Sequence, residues 1–462
     1  MDQRNRSFSL LVTDAASAGF ADYTEGRHLD LKTVACLRHL PGRRAVWKAR
    51  CEGHDVLLKV FDQHPKQRRD LDREWDNARA LFKAGLATPE PLFKARDDSG
   101  LLAVAFTYIE NGRTLKEVFA EADEATLAAG LRQLLELHAK QHAAGSYQKD
   151  NHLGNYFSSR GDLYMLDAGS CVLKDNALSI HDRVQNMAML IANIPLHSRK
   201  VFDGVFSTYL DCCPDEIDRQ IFLGKLAIEV PEARNRRLMS YLRKTRRSSS
   251  KLERSDHPDK SWHACRQLEP GLKSKLLENP EQFFIGQTRK GARVEDGEGY
   301  LQTDFEQAGH SYVLRRYDRP SLVNRLRQFF SISVFPRVLE VWSNGHALNM
   351  VGLESPRPLA CLVLKKYGFY LGGYLLLEKT NGKRLSERDD VSEDIVLQFD
   401  TLIQDFKSLR ITHRGLMPSD MSIDENGRLV LVDTASLRFH KSVSEYQKEA
   451  AEQAQTLEEL LG

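Results

Sequence analysis

The chain has 462 residues, of which 41% are hydrophobic and 28% are charged, and its formal net charge is +2. A single hydrophobic core stops growing at roughly 250–300 residues, so this length favours two or more domains. A net charge this small excludes a protein that binds nucleic acid through its overall charge, and we expect no nucleic-acid partner.

The sequence also lacks the usual features of secreted and membrane-spanning proteins. Its N-terminal segment has no apolar core typical of a signal peptide, and no run of about 18 apolar residues occurs. The seven cysteines include no C-x-x-C pair, which argues against a disulfide framework and against a zinc site. We therefore expect a cytoplasmic protein, either soluble or peripheral to a membrane.

The first half of the chain predicts a β-rich region followed by a helical one. The segment 56–61, VLLKVF, is predicted as a strand, and a helix is predicted over about 70–84. Strands follow from Pro91 and over 101–110, where a Glu-Asn-Gly turn begins. Residues 126–145 have the apolar spacing of a helix and end in a glycine. This order predicts an α+β fold in which a small β-rich lobe precedes a helical lobe.

An internal repeat divides the chain into two similar halves. Residues 74–92 and 341–359 match without gaps at nine positions, including a tryptophan, a glycine and two prolines. We therefore predict two tandem copies of one domain, over 1–255 and 256–462. Between them, nine of the residues in 234–254 are Lys or Arg, and this basic segment is predicted to be a linker.

The loop after the helical region carries polar residues typical of phosphoryl transfer. Asp150 precedes Asn155 by five positions, and Asp167 follows a short apolar strand. Magnesium prefers oxygen ligands, which the carboxylate of Asp167 and the amide of Asn155 can supply. A separate carboxylate must accept the proton of the attacking hydroxyl, and Asp150 is the candidate for that base.

Two upstream residues suit the phosphates of a nucleotide. Lys59 lies in the predicted strand 56–61 and can place a cation against phosphate oxygens. Glu74 lies on the following predicted helix, from which its carboxylate can anchor Lys59. Together with the loop residues, this pattern predicts a magnesium-dependent phosphotransferase.

Five of these residues occur in an order that resembles the protein-kinase-like superfamily. They are Lys59, Glu74, Asp150, Asn155 and Asp167. Within that superfamily, the stretches REWDNARALFKAGLATPEPL and QKDNHLGNYF are similar to the lipopolysaccharide core kinases of the Kdo/WaaP family. The resemblance implies two tandem bilobal kinase-like domains, and an ATP-dependent kinase that phosphorylates heptose or Kdo of the inner core at the cytoplasmic face of the inner membrane.

The resemblance also implies the roles of individual residues. Those implied to contact ATP are Gly42, Lys59, Glu110 and His152. Those implied to act in catalysis are Lys59, Glu74 and Asp150. Those implied to hold Mg²⁺ are Asn155 and Asp167.

The residues leave other functions open. A kinase of another small hydroxylated metabolite and a non-catalytic scaffold of core assembly are the alternatives. A protein kinase is disfavoured, because Arg183 lies only 16 positions after Asp167 and already belongs to a helical pattern. The basic segment 234–254 is either an ordinary solvated surface or a contact with an anionic substrate or with the inner membrane. His138 and His142 are four positions apart on a predicted helix, but no third ligand lies nearby to complete a metal site.

In the second copy, most of the corresponding positions have changed. Arg315 replaces the lysine, Val341 the glutamate, Gly415 the base and Asp420 the asparagine, and only Asp433, at the position of the second aspartate, is retained. A glycine cannot accept a proton, so we predict a pseudokinase that keeps the fold without the chemistry.

Overall fold

The computed structural model of the protein describes residues 6–16, 23–214, 217–289, 294–297, 299–317, 336–367, 369–388, 391–413 and 415–451. The chain divides into two compact units. The first comprises Met1–Ile194 and Ser198–Val230, and the second comprises Pro195–His197 and Pro231–Gly462. The division therefore falls ahead of the boundary that we predicted near residue 255. None of the helices in the described residues combines the length and apolar character that a membrane crossing needs.

The first unit begins with a closed barrel of six strands. These strands are β1 (Ser7–Ala15), β2 (His28–Leu40), β3 (Arg44–Cys51), β4 (His54–Phe61), β5 (Pro91–Arg96) and β6 (Leu102–Thr107). Their order is β1-β2-β3-β4-β6-β5, and β1 closes the barrel by pairing with β5. Burial alternates along β3, where Ala45, Trp47 and Ala49 contribute to the barrel core.

Helix α1 (Gln67–Lys83) connects β4 to β5, close to the helix predicted over 70–84. Its buried residues recur with helical spacing. They are Leu71, Glu74, Trp75, Ala78 and Leu81. Glu74 therefore places a carboxylate within an otherwise apolar stripe, which requires a partner of opposite charge.

The rest of the first unit is mainly helical. Its helices are α2 (Leu115–Phe119), α3 (Glu124–Ala143), α4 (Ile180–Asn193), α5 (Arg199–Val205), α6 (Ser207–Asp211) and the start of α7 (Arg219–Lys244). Its short strands are β7 (Gly112–Thr114), β8 (Ser146–Gln148), β9 (Tyr156–Ser159), β10 (Asp162–Met165) and β11 (Cys171–Leu173). They pair as the sheets β7-β9-β10 and β8-β11, which hold the loop between β8 and β9 in place.

The second unit is built around an open seven-stranded sheet. Its strands are β12 (Leu252–Asp256), β13 (Lys260–Cys265), β14 (Val294–Gly297), β15 (Tyr300–Gln307), β16 (His310–Tyr317), β17 (Pro358–Lys366) and β18 (Phe369–Glu378). Their order is β12-β13-β17-β18-β16-β15-β14. Every strand pair in the described part of both units is antiparallel, which is typical of an α+β fold.

Further helices and short strands complete the second unit. The helices are α8 (Pro270–Glu278), α9 (Pro280–Arg289), α10 (Arg337–Val351) and α11 (Glu393–Leu409). The short strands are β19 (Gly382–Arg384), β20 (Ile411–His413), β21 (Met421–Asp424), β22 (Leu429–Leu431) and β23 (Leu437–Phe439). They pair as the sheets β19-β21-β22 and β20-β23.

The two units share an order of elements. The run β2-β3-β4-β6-β5-β1 corresponds to β14-β15-β16-β18-β17-β13, and α1 and α10 each follow the third strand of their run along the chain. A side-chain contact is repeated as well. Asn77 of α1 donates to the Ala168 carbonyl at 2.9 Å, and Asn344 of α10 donates to the Thr434 carbonyl at 2.8 Å.

The basic segment 234–254 is a folded part of the second unit. Residues as far as Lys244 continue α7, and the segment ends within β12. Arg234 is only 7% exposed, and Asn235 donates to the Leu409 and His440 carbonyls at 3.2 and 2.9 Å. This segment is therefore not the solvent-exposed linker that its composition suggested.

Candidate active site

Lys59 and Glu74 form a buried ion pair in the first unit. Lys59 lies on β4 between Leu58 and Val60, whose side chains belong to the barrel core, so the Lys59 side chain projects from the opposite face. There its ammonium donates to Oε1 of Glu74, and the two side chains are 10% and 2% exposed. The strand alternation and the helical spacing of α1 thus bring together the two residues that the sequence assigned to one site.

Arg44 contacts both carboxylates of this site and was not identified in the sequence. Its Nη1 lies 3.6 Å from Glu74 Oε2, and its Nη2 donates to Asp167 Oδ1 at 3.3 Å. Arg44 begins β3 directly after the turn that contains Gly42. The sequence does not show whether Arg43 or Arg44 faces the site. That depends on where each residue lies relative to the start of β3.

Asp167 lies in a tight turn against α1. Its φ of 62° is in the left-handed region, which aspartate tolerates better than most residues other than glycine. The turn approaches the ion pair closely, because a Cβ on Gly169 would lie 2.5 Å from Glu74 Oε2. Any larger residue at this position would have to displace the Glu74 carboxylate.

The charge of Asp167 is set by its neighbours. Burial alone would raise the pKa of the Asp167 carboxyl, but the cations of Lys59, Arg44 and Arg38 outweigh burial and hold that pKa below its ordinary value. Asp167 is therefore an anion at neutral pH, which is the form that a metal ion or a cationic group requires.

The loop between β8 and β9 places Asp150 in solvent. The Asp150 side chain is 74% exposed, and His152 Nε2 lies 3.6 Å from its Oδ2. Asn155 is buried, and its Nδ2 donates to the Asp150 carbonyl at 2.8 Å. The Asn155 carbonyl in turn accepts from the Leu166 N–H at 2.7 Å, which ties the loop to the residue preceding Asp167.

A buried network of polar side chains supports this loop, and the sequence did not predict it. His138 contacts Asn151 and the Tyr156 hydroxyl, while His142 contacts Asn186, which itself accepts from Asn151 at 3.1 Å. Burial lowers the pKa of His138 to about 4 and that of His142 to about 3, so both rings are neutral. The two histidines thus act as hydrogen-bonding supports of the loop, and their spacing on α3 was the only signal available in the sequence.

Gly42 and Glu110 are the residues to which the resemblance assigns further nucleotide contacts. Gly42 has φ 70° in the turn between β2 and β3, with open space around it. The Glu110 side chain is 51% exposed, and its carbonyl accepts from Ser159 Oγ at 2.6 Å. In the described parts of the chain, no hydrogen bond or ion pair joins either residue to Lys59 or Asp167.

Asn155 and Asp167 suit a magnesium ion in their donor atoms. Asp167 is ionised, and Asn155 uses its amide nitrogen internally, so its Oδ1 is the atom that remains for a ligand. The described residues contain no group of three or more His, Cys, Asp or Glu that could hold a metal ion. A site made of the Asp167 carboxylate and the Asn155 amide would not form such a group, because asparagine is not one of those four residue types. Two protein ligands suit magnesium, since this ion commonly keeps several water ligands.

The second unit has different chemistry at the matching positions. Arg315 is 1% exposed, with Nε donating to Gln302 at 3.1 Å and Nη2 donating to the Val432 carbonyl at 3.3 Å. Val341 is packed in an apolar cluster, so it offers no carboxylate to Arg315. The Arg315 guanidinium thus bonds an amide and a carbonyl oxygen, whereas its buried Nη1 has no hydrogen-bond partner among the described residues.

Asp420 and Asp433, which stand at the positions of Asn155 and Asp167, take part in local backbone turns. Asp420 Oδ2 accepts from the Met417 N–H at 2.8 Å, and Asp433 Oδ1 accepts from the Ala435 N–H at 2.8 Å. Gly415 has φ 71°, a left-handed conformation that strains most side chains. These contacts give both aspartates a structural use that requires no metal ion.

No protein-family model and no curated protein sequence matches this chain. Among solved structures, the chain is similar to one described as WaaP in complex with acyl carrier protein. The identity is 19%, the TM-score is 0.33, and the match covers 43% of this chain and 86% of that chain. A TM-score at this level does not establish a shared fold.

Proposed function

We propose that the protein is an ATP- and Mg²⁺-dependent kinase that phosphorylates a heptose or Kdo sugar of the lipopolysaccharide inner core. The observation that supports this proposal best is the buried Lys59–Glu74 ion pair, with the ionised Asp167 joined to it through Arg44. A buried ion pair is weak evidence for stability alone, because burying two charges offsets much of their attraction. Its connection through Asp167 to the loop that carries the exposed carboxylate of Asp150 favours a functional role.

In this proposal the chain is a tandem kinase and pseudokinase, each built from a β-rich lobe and a helical lobe. The shared strand order of the two units and the repeated contacts of Asn77 and Asn344 support the duplication. The first unit carries the activity. The second keeps its fold, but Arg315 and Val341 replace the ion pair and Gly415 replaces the base.

Each residue of the candidate active site then has a defined role. Asp150 accepts the proton of the attacking hydroxyl, and its exposure leaves room for an acceptor to approach. Lys59 presents a cation to the phosphates, with Glu74 holding its position. Asn155 and Asp167 would hold magnesium, which when bound neutralises charge that develops on the phosphates.

The acceptor distinguishes the alternatives. A kinase of another small hydroxylated metabolite would use the same residues on a different hydroxyl, whereas a non-catalytic scaffold would need no base at Asp150. Mass spectrometry of core oligosaccharide from cells with and without the gene decides the acceptor, because a core kinase should add the mass of a phosphate group. An unchanged core would contradict the assignment to the inner core.

Replacement of Asp150 tests catalysis directly. Asp150→Asn should reduce phosphate transfer by about 10²–10⁴-fold, since a positioned general base contributes that much. Asp162→Asn is the matched control, because Asp162 is an exposed aspartate on β10 outside the site. Equal transfer rates for the two variants would remove Asp150 from the mechanism.

A further inference from the structure

A groove in the second unit is lined by cations from two distant parts of the chain. Arg243 and Arg246 come from the end of α7 and the turn after it, while Arg438 and Lys441 come from β23 and the residues that follow. The groove has a volume of about 330 Å³. This lies within the range of small-molecule sites, roughly 300–1,000 Å³.

The charge of the groove is not balanced by its own residues. Glu340 is the one acidic residue among those lining it, against four cations, and its Oε2 lies 3.9 Å from Arg438 Nη1. Burial raises the pKa of the Glu340 carboxyl despite the neighbouring arginines. The groove therefore carries an excess of positive charge that an anion would neutralise.

Two of the three groove arginines, Arg438 and Arg246, are held by contacts with the protein. Arg438 Nη1 donates to the Leu437 carbonyl at 3.0 Å, and Arg246 Nε donates to Ser343 Oγ at 3.3 Å. Burial also lowers the pKa of Arg246, as expected for a guanidinium that is partly removed from water. Partly desolvated and positioned cations attract an anion more strongly than solvated ones do.

The groove also has an apolar part. Its apolar lining residues are Met239, Leu242, Leu437 and Phe439. A ligand with a charged group and an uncharged portion would satisfy both the cations and this surface. Arginine matches phosphate oxygens through paired hydrogen bonds, which makes phosphate the anion that best suits the guanidinium groups of Arg243, Arg246 and Arg438.

We propose that this groove of the second unit binds a phosphate-bearing ligand. The inference does not depend on phosphoryl transfer by the first unit. A free phosphorylated small molecule and the headgroup of an anionic lipid present the same chemistry. The inference also assigns different roles within the basic segment 234–254, because Arg243 and Arg246 line the groove whereas Lys244 and Arg247 do not.

That difference provides a matched pair of variants in the full-length protein. The groove variant is Arg243→Gln with Lys441→Gln, and the control variant is Lys244→Gln with Arg247→Gln. All four side chains belong to exposed residues, so both variants should fold, and both remove two positive charges. A midpoint temperature of thermal unfolding equal to that of the wild-type protein verifies that each variant is folded.

Binding is measured with two probes, sodium pyrophosphate by calorimetry and phosphatidylglycerol–phosphatidylcholine vesicles by flotation. For the probe that the wild-type protein binds, we expect the affinity of the groove variant to be at least about tenfold lower, since each lost charge-assisted hydrogen bond contributes on that scale. The control variant should stay within about threefold of wild type, because Lys244 and Arg247 do not line the groove and act on a bound anion only through screened long-range attraction.

The outcomes separate the ligand sources. If the wild-type protein binds pyrophosphate and the groove variant does not, the ligand is a free phosphorylated molecule. If the wild-type protein binds vesicles but not pyrophosphate, and only the groove variant loses vesicle binding, the ligand is a lipid headgroup. Failure of the wild-type protein to bind either probe would overturn the proposal. An equal loss in the groove and control variants would also overturn it, because the attraction would then belong to the basic segment as a whole.

Discussion

Glu74→Gln should destabilise the first unit by removing the carboxylate that faces Lys59. The Glu74 side chain is 2% exposed and that of Lys59 is 10% exposed, so water cannot replace the lost partner. Breaking one side of a buried ion pair costs about 3–5 kcal/mol. Asp167 still attracts Lys59 and Arg44, so we expect the lower end, about 3 kcal/mol, or roughly a 100-fold change in the opening equilibrium.

Hydrogen exchange read by mass spectrometry measures this effect locally. Peptides from β4 and α1 should exchange about 100-fold faster in Glu74→Gln, because protection reports the free energy of local opening. The same substitution at Glu52 is the control, since Glu52 pairs with Arg27 in a bridge whose side chains are each 36% exposed. That exposed pair contributes at most about 1 kcal/mol. Equal exchange in the two variants would refute the assignment of a buried pair at this site.

Other expectations follow from the same geometry. Asp167→Ala should weaken Mg·ATP binding in calorimetry more than loss of the base does, and an unchanged affinity would reverse the metal assignment. Arg44→Gln should strengthen binding of Mg²⁺ alone, because Arg44 contacts Asp167 Oδ1 at 3.3 Å and competes for it, and weaker Mg²⁺ binding would contradict this competition. Gly415→Asp should not restore transfer to a base-deficient protein, since the ion pair is also missing from the second unit, and any recovered turnover would oppose the pseudokinase assignment. The free energy of unfolding should fall as pH drops from about 6.5 towards 4, because the pKa of His138 is lowered to about 4 and that of His142 to about 3. The unfolded chain then binds protons that the folded chain does not, and urea titrations should show a shallower pH dependence for His142→Gln.

The elements of the first unit were accessible from the sequence because they follow local periodicity. The strand predicted at 56–61 lies within β4, the helix predicted over 70–84 is α1, and the helix predicted over 126–145 is α3, Glu124–Ala143. Apolar residues must lie on one face of each element to reach a core, so their spacing records the element type. The repeat was equally visible, since matched residues need no structure to be aligned.

The contacts between distant elements were decided only by the tertiary structure. The closure of the barrel by β1 and β5, the reach of Arg44 across to Asp167, and the contacts of His142 with Asn186 join residues that are far apart in the chain. The composition of 234–254 suggested a solvated linker, yet burial of Arg234 and the bonds of Asn235 make it part of the second unit. Charge and polarity state what a side chain can do, but its partners depend on which strands and helices pack together, and that packing is a property of the whole fold.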